Sequence, residues 1–386
     1  MNRTTLVCGS WPPIKCGVGD FSHRLALEWA RQGREISVVT DRLAQESGSP
    51  TIRVLPVVQQ WGPSALPRIL SAIKQTAPDV VNLHYPTVRY SRLSVIDLLP
   101  TAIRLVLKTP VVTTIHEYST FQPLGRRRVE WLARTSTAVI VPEQSNHSLL
   151  KAALPAFADR IHHVPLGSSI DVQLPADFDR QTWRIAHSIL SEDLLLVYFG
   201  FISPSKGIET LLEEFAQLPA TFNARLHILA DREPSAPQYA DYHRMIAKQI
   251  EELSQHRSVE WTGYLPPEQL SPYFASADLA VLPFADGASM RRTTLLACIA
   301  HGLPVLSTGD SPPCLGVAVV PIGDSSAMAQ ALVELGTNPH ALNLLRQRAT
   351  EASDQTSWST IATGTARYCE QYVGGARDGR RIRRHL

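Results

Sequence analysis

The sequence carries almost no imbalance of charge: Lys and Arg number 37 and Asp and Glu 35, a net +2. A dedicated nucleic-acid binder normally shows a basic excess, so no nucleic-acid partner is expected, although a local basic patch is compatible with this balance. Cysteines are few, odd in number and widely spaced (Cys8, Cys16, Cys298, Cys314 and Cys369). With no C-x-x-C pair and no His/Cys cluster at zinc-ligand spacing, the expectation is reduced thiols in a cytoplasmic protein, with no bound metal. Apolar runs stay short of the ~18 residues that a membrane span needs. The chain begins directly with the strand-like TTLVC, so no signal peptide is expected. There is no internal repeat of 20–50 residues, which excludes a solenoid.

What is present is an ordinary globular composition, 44% apolar and 19% charged over 386 residues. At roughly 150 residues per domain, that length suggests two domains or three. Short β-rich runs alternate with helical periodicity. The strands expected in the first half are 4–8, 35–40, 52–57, 80–84, 111–115, 138–141 and 161–164, with helices between them, for example 21–31 and 93–107. Several of these strands are apolar throughout, as when both faces of a parallel sheet are covered. The pattern then restarts. Strands are expected at 194–199, 225–229, 259–262, 279–282, 305–307 and 317–320, and helices at 208–216, 239–253, 294–300, 325–335 and 340–352. The stretch SSIDVQLPADFD, 168–179, has no periodicity and reads as the linker. Two doubly wound domains in tandem would create a cleft, with ligands beyond the carboxyl ends of the strands, so chemistry is sought just after each strand.

After the first strand, GSWPPIKCGVGDFSHRLA places Gly17 and Gly19 around Val18, with Asp20 as the expected cap of the following helix. Gly-x-Gly lets a backbone approach a ligand, but it also suits a plain turn, and the full dinucleotide fingerprint is absent. His116, at the end of the strand 111–115, is placed to hydrogen-bond a substrate hydroxyl, against the plainer reading of a structural histidine. His84 and Tyr85 occupy the same level of the preceding strand as weaker candidates. In LLLVYFGFISPSKGIETLLEEF, Lys206 near a helix start is poorly placed for the helix dipole unless an anion offsets it. A diphosphate would do so, although the sequence is not a Walker motif and a surface lysine is the plain alternative. The segment PFADGASMRRTTLLACIAHGLPVLST brings Asp286, Gly287, Ser289, Arg291, Arg292, Thr293 and Thr294 ahead of an apolar helix. Two arginines and two hydroxyls at a helix N-terminus make an oxyanion site. After the strand 259–262, Gly263, Tyr264 and Leu265 offer backbone and a ring to a flat base.

Taken in order, CGVGDF, TIHEYS, VPLGSSID, GFISPSKGIETLLEEF, WTGYLPPEQL, ADLAVLPF, ACIAHGLPVLST and the PIGD before Ser325 resemble glycosyltransferase family 4, over about residues 4–372. The resemblance implies an α/β chain of the GT-B fold, two Rossmann-like doubly wound domains facing a central cleft. Residues 1–172 would form the acceptor domain, 173–355 the donor domain, and a helix at 356–372 would return to the first. It implies a retaining, metal-independent transfer of a hexose from a nucleoside-diphosphate sugar, UDP- or GDP-linked, to a small-molecule, glycan or lipid-linked hydroxyl, with no other cofactor. It gives Gly17 and Gly19 to the donor-facing loop and His116 to the donor sugar. Lys206 goes to the diphosphate and the backbone of Gly263, Tyr264 and Leu265 to the base. Asp286, Gly287, Ala288 and Ser289 go to the sugar hydroxyls and phosphate.

The departures from the family pattern matter. Phe201 stands where the family has an arginine, and Ser289 and Ala297 stand where it has two glutamates. Compensation is the expected answer: Arg291 or Arg292 replaces the lost cation, Asp286 takes a glutamate's part, and Thr293 and Thr294 add donors to the phosphate. A silent sugar-nucleotide-binding partner of another transferase, or a nucleotide-sugar epimerase on the same fold, are the alternatives. The Arg-rich end, 374–386, is either a solvated tail or a polybasic contact with the inner face of a membrane.

Overall fold

The computed structural model describes residues 3–45, 49–90, 94–234, 236–310, 312 and 314–373. The chain divides into two compact units. One runs to Gly167 and resumes at Trp358; the other is Ser168–Ser357. The Arg-rich end, 374–386, lies outside the described residues.

Among the described residues the first unit holds seven strands, β1 (Arg3–Val7), β2 (Glu35–Asp41), β3 (Ile52–Val58), β4 (Val80–Tyr85), β5 (Val111–Ile115), β6 (Ala138–Val141) and β7 (Ile161–His163). They form one parallel sheet in the order β3-β2-β1-β4-β5-β6-β7. β4, β5 and β6 are buried along their whole length, which is why they read as unbroken apolar runs. Successive residues of β1 serve opposite faces. Leu6 packs with Leu25, Trp29 and Ile361, and Val7 with Ile69, Ile73 and Leu99. The helix Trp358–Gln371 is part of this unit's core. Trp29 Nε1 donates to the Ala362 carbonyl at 2.9 Å, and Arg34 pairs with Glu370 at 2.7 Å.

The second unit repeats the plan with β8 (Leu194–Phe199), β9 (Ala224–Leu229), β10 (Val259–Trp261), β11 (Leu279–Leu282), β12 (Val305–Thr308) and β13 (Val317–Val320). The order is β10-β9-β8-β11-β12-β13, again parallel throughout. The aperiodic stretch after Gly167 sits with this unit: Ile170 packs on its core, and the Gln173 amide donates to Ser271 Oγ at 2.9 Å.

Two local expectations are corrected. The first helix begins at Gly17 with Cys16 as its cap, and the Asp20 amide donates to the Cys16 carbonyl at 2.9 Å. Asp20 therefore lies inside the first turn, where a carboxylate favours the helix dipole without capping it. The single helix expected over 93–107 is broken into a 3-10 turn at Val95–Asp97, a short α-helix at Leu99–Ala102 and a π-turn at Ile103–Leu107. Pro100, without an amide hydrogen, fits only the first turn of a helix and forces a new start there.

In both sheets the chain reverses direction of winding at the centre, between β1 and β4 and between β8 and β11. Loops leaving those neighbouring strands diverge to opposite faces and open a crevice at the carboxyl ends. Gly17 and Gly19 follow β1 at the first of these places and Lys206 and residues 286–294 follow β8 and β11 at the second, whereas His116 follows β5, one strand further on, and residues 263–265 follow β10 at the sheet edge.

Candidate functional site

In the second unit the loops after β8 and β11 are locked together. Gly207 adopts φ +63°, and a Cβ there would stand 2.0 Å from the Pro283 carbonyl oxygen, so only glycine permits this approach. The Ala285 amide donates to the Ser205 carbonyl at 3.3 Å. The loop after β12 joins them, since the Ala288 amide donates to the Thr308 carbonyl at 2.7 Å.

This framework fixes a cluster of cations. Lys206 ends a 3-10 turn, Pro204–Lys206, just before the helix Ile208–Gln217. Its Nζ donates to Thr294 Oγ1 at 3.5 Å and lies 5.1 Å from the centre of the Phe284 ring. Arg292 occupies the N-cap of the helix Thr293–Ala300, with no side-chain cap bond. Its guanidinium lies 4.6 Å from the same ring and pairs with Asp286. Burial, and then the neighbouring Arg292 charge, bring the Lys206 ammonium down to about 8. Burial lowers the Arg292 guanidinium as well. Two cations share one aromatic ring at a helix N-terminus, where a further positive charge is disfavoured. One carboxylate, Asp286, offsets part of this. The arrangement is electrostatically unfinished and is relieved by an anion.

The two arginines diverge. Arg292 is partly buried in the cluster, whereas Arg291 is exposed. Thr294 is buried and accepts from Lys206, while Thr293 is exposed. Gly287 forms the turn, at φ +86°, that brings Ala288 onto Thr308, and Ser289 accepts at its carbonyl from the Arg292 amide at 3.0 Å. Phe201, where an arginine would stand, is 63% exposed. Ala297 is fully buried in the core. Gly263 (φ +86°), Tyr264 and Leu265 follow β10 at the sheet edge, with β9 between them and the cluster's strand. Tyr264 is 71% exposed. Beside this loop, Arg232 donates to the Trp261 carbonyl and lies 5.6 Å from the Trp261 ring centre.

The first unit's crevice is of a different kind. Gly19 lies against the loop after β1: a Cβ there would be 2.8 Å from the Ser10 carbonyl, while Gly17 has open space. Gly9, in that loop, donates to Tyr90 Oη at 2.8 Å. His116 follows β5, and its amide donates to the Tyr85 carbonyl at 2.8 Å. Its ring meets Phe21 edge-on at 5.0 Å, and its Nε2 lies 3.3 Å from Nδ1 of the buried His84. His84 Nε2 in turn lies 2.8 Å from Asn82 Oδ1. Burial takes His116 down to about 3, and burial followed by the facing His116 holds His84 well below the ordinary range, so both are neutral at physiological pH.

Sequence reasoning missed three of these residues. Phe284 follows the strand inside ADLAVLPF and looks like core. Asn82 is signalled only by being a polar residue within the apolar strand VVNLHY, and Arg232 by nothing beyond its position after β9. Among the described residues no group of three His, Cys, Asp or Glu side chains is arranged to hold a metal ion, and no helix is long and apolar enough to cross a membrane.

Both units match known families. Residues 16–172 match the family described as Glycosyltransferase Family 4, and residues 193–338 that described as Glycosyl transferases group 1. The chain belongs to these family-4-type glycosyltransferases, and its two doubly wound units are those of the GT-B fold. Among curated proteins it is 24% identical over 317 residues to an MMP alpha-(1->4)-mannosyltransferase of Mycolicibacterium hassiacum, covering 79% of this chain and 68% of that protein. It is 28% identical over 174 residues to a lipopolysaccharide 1,2-N-acetylglucosaminetransferase of Salmonella typhimurium, covering 44% of this chain and 42% of that protein. Aligned chain thus spans under half the length of the Salmonella relative. Among solved structures, Anabaena HepE in complex with UDP and glucose superposes with a TM-score of 0.65 at 16% identity, over 96% of this chain and 100% of that one.

Proposed function

We propose that this chain transfers a hexosyl group from a nucleoside-diphosphate sugar, UDP- or GDP-linked, to a hydroxyl of a small-molecule, glycan or lipid-linked acceptor. The observation that carries the reading is the pair Lys206 and Arg292 gathered at the Phe284 ring, with Thr294 beside Lys206 at a helix N-terminus. In such a transfer the bond from the anomeric carbon to the diphosphate oxygen breaks, the acceptor oxygen bonds to that carbon, and the acceptor proton leaves with the phosphate. Charge builds on the departing diphosphate, and preorganised cations and amides stabilise it. Lys206 and Arg292 supply that charge here; Arg292 takes the part of the arginine that Phe201 lacks. Asp286, while paired with Arg292, orients the guanidinium and keeps an oxygen for a sugar hydroxyl. Gly287, Ala288 and Ser289 give the turn its shape, and Thr293 and Thr294 close it. Gly263, Tyr264 and Leu265 receive the base. The second unit is the donor domain. The first unit is the acceptor domain, with Gly17, Gly19 and His116 on the sugar side.

The transfer retains the anomeric configuration and uses no metal, because the two side-chain cations do the work a metal would do at the leaving group. Supporting the retained configuration is that, among the described residues, the hydrogen bonds of the His84 and His116 rings run to each other and to Asn82 and not to a carboxylate that could serve there as a nucleophile. The enzyme works in the cytoplasm, with a lipid-linked acceptor bringing it to a membrane face.

The test is direct. Purified chain is incubated with UDP- and GDP-sugars and a panel of hydroxyl acceptors, with and without chelator, and the product's anomeric proton is read by NMR. Transfer with retained configuration, unchanged by chelator, is expected. Tight binding of a sugar nucleotide with neither transfer nor donor hydrolysis would assign the chain as a silent binding partner, and inversion at another sugar carbon would assign an epimerase.

A further inference from the structure

The histidine pair of the first unit carries directional information. Asn82 Nδ2 lies 2.9 Å from the Val112 carbonyl oxygen and 3.1 Å from Thr114 Oγ1. A carbonyl only accepts, so the amide nitrogen must face it, and the amide oxygen must face His84. His84 Nε2, 2.8 Å away, therefore carries the proton and donates. His84 is fully buried, and its ring partners among the described residues, Asn82 and His116, include no carboxylate, so the ring is neutral and its Nδ1 is a bare acceptor. His116 Nε2, 3.3 Å from that nitrogen, must then be the donor. One proton remains to be placed on a neutral His116 ring, and it is already on Nε2. Nδ1 of His116 is left with a lone pair and with no partner among the described residues.

We infer that Asn82 and His84 are positioning residues that hold His116 in the Nε2–H tautomer, so that its Nδ1 accepts a hydrogen bond from a substrate hydroxyl. Buried polar chains of this kind set direction because each member can be satisfied in only one sense. The consequence is a definite division of labour. His116 cannot act as a cation on the leaving diphosphate; it selects a group that donates, a hydroxyl on the sugar being bound. This rests on the transferase reading for the identity of that hydroxyl, but the tautomer itself does not.

The test labels the full chain with ¹⁵N-histidine and reads the two ring nitrogens of each histidine by long-range ¹H–¹⁵N correlation near neutral pH, without ligand. His116 is assigned by loss of its signals in His116→Gln. The expected result is a protonated Nε2 and a bare Nδ1 at His116, and the same at His84. In Asn82→Leu the His84 ring loses its fixed partner, and His116 should become a mixture of tautomers. In the same variant kcat/KM for the donor should fall roughly ten- to a hundredfold, as for a mispaired buried hydrogen bond. Affinity for the free nucleoside diphosphate should stay at the wild-type value, which a general structural defect would not spare. A proton on His116 Nδ1 in the wild-type protein, or a His116 tautomer unchanged in both Asn82→Leu and His84→Phe, overturns the relay. The expected tautomer in a wild-type protein that turns over no sugar nucleotide overturns the transferase reading alone. A reversed tautomer in a protein that does transfer sugar overturns the relay alone.

Discussion

The two units share one winding plan, and each gathers polar side chains near the strands where that winding reverses, yet one gathering is neutral and the other cationic. In the first, His116, His84 and Asn82 are neutral and tied to one another, ending on the backbone of β5. In the second, Lys206 and Arg292 crowd one ring, and Asp286 pairs with only one of them. A neutral chain of hydrogen bonds that ends on one free acceptor reads shape and direction. An unsatisfied pair of like charges asks for an anion. On the proposed reading the same scaffold offers a hydroxyl-selecting end and a phosphate-holding end, and the difference lies in a few side chains in β4 and after β5, β8 and β11 rather than in the fold.

The largest expected effect comes from erasing the charge that separates the two crevices. Lys206→Met combined with Arg292→Gln should lower kcat for sugar transfer by about 10²–10³-fold, the range for lost leaving-group stabilisation, while circular dichroism stays unchanged. Wild-type turnover in that variant would remove the cation pair from the mechanism. Next, His116→Phe keeps a ring beside Phe21 but removes the acceptor, and should cost roughly ten- to a hundredfold in kcat/KM with nucleoside-diphosphate affinity retained. An equal loss of nucleotide affinity would mean that the two ends are not separable.

A stability change follows. Gly207→Ala forces a Cβ against the Pro283 carbonyl at a positive φ, and should destabilise by about 1–3 kcal/mol, seen as a lower thermal midpoint. Because the Lys206 ammonium is down at about 8, a bound diphosphate should pull its proton affinity back up. Nucleotide affinity is then greatest below that pH and declines as pH rises through it, a trend that isothermal titration should show and that Lys206→Met should lack. The smallest effect tests the divergence of the arginines: Arg291→Ala, at an exposed position, should change turnover by less than about twofold, as surface substitutions usually do.

The strands were legible because β4, β5, β6, β8 and β11 are buried on both faces and so appear as apolar runs; their ends shift by a residue or so between expectation and structure. The break at Pro100 was not, because apolar periodicity continues through it and only the missing amide divides the segment. At the site, Lys206 and the Arg291–Arg292 pair stood out as cations where a helix dipole disfavours them. Sequence alone could not say which arginine turns inward, since that depends on Arg292 occupying the N-cap. Phe284 and Asn82 were hidden for a similar reason. An aromatic after an apolar strand looks like core, and a single polar residue inside one says nothing about its partner until the register with β5 places it beside Val112 and Thr114.

The central claim is that the crevice of the second unit is built for a diphosphate. Thermal unfolding of the wild-type chain against a series of nucleoside mono- and diphosphates tests it most directly. A diphosphate at 100 times its dissociation constant should add about 2.7 kcal/mol of stability, the monophosphates should add less, and Lys206→Met with Arg292→Gln should abolish the difference between them. No stabilisation by any nucleoside diphosphate at millimolar concentration, or the same stabilisation in the double variant, would contradict the account.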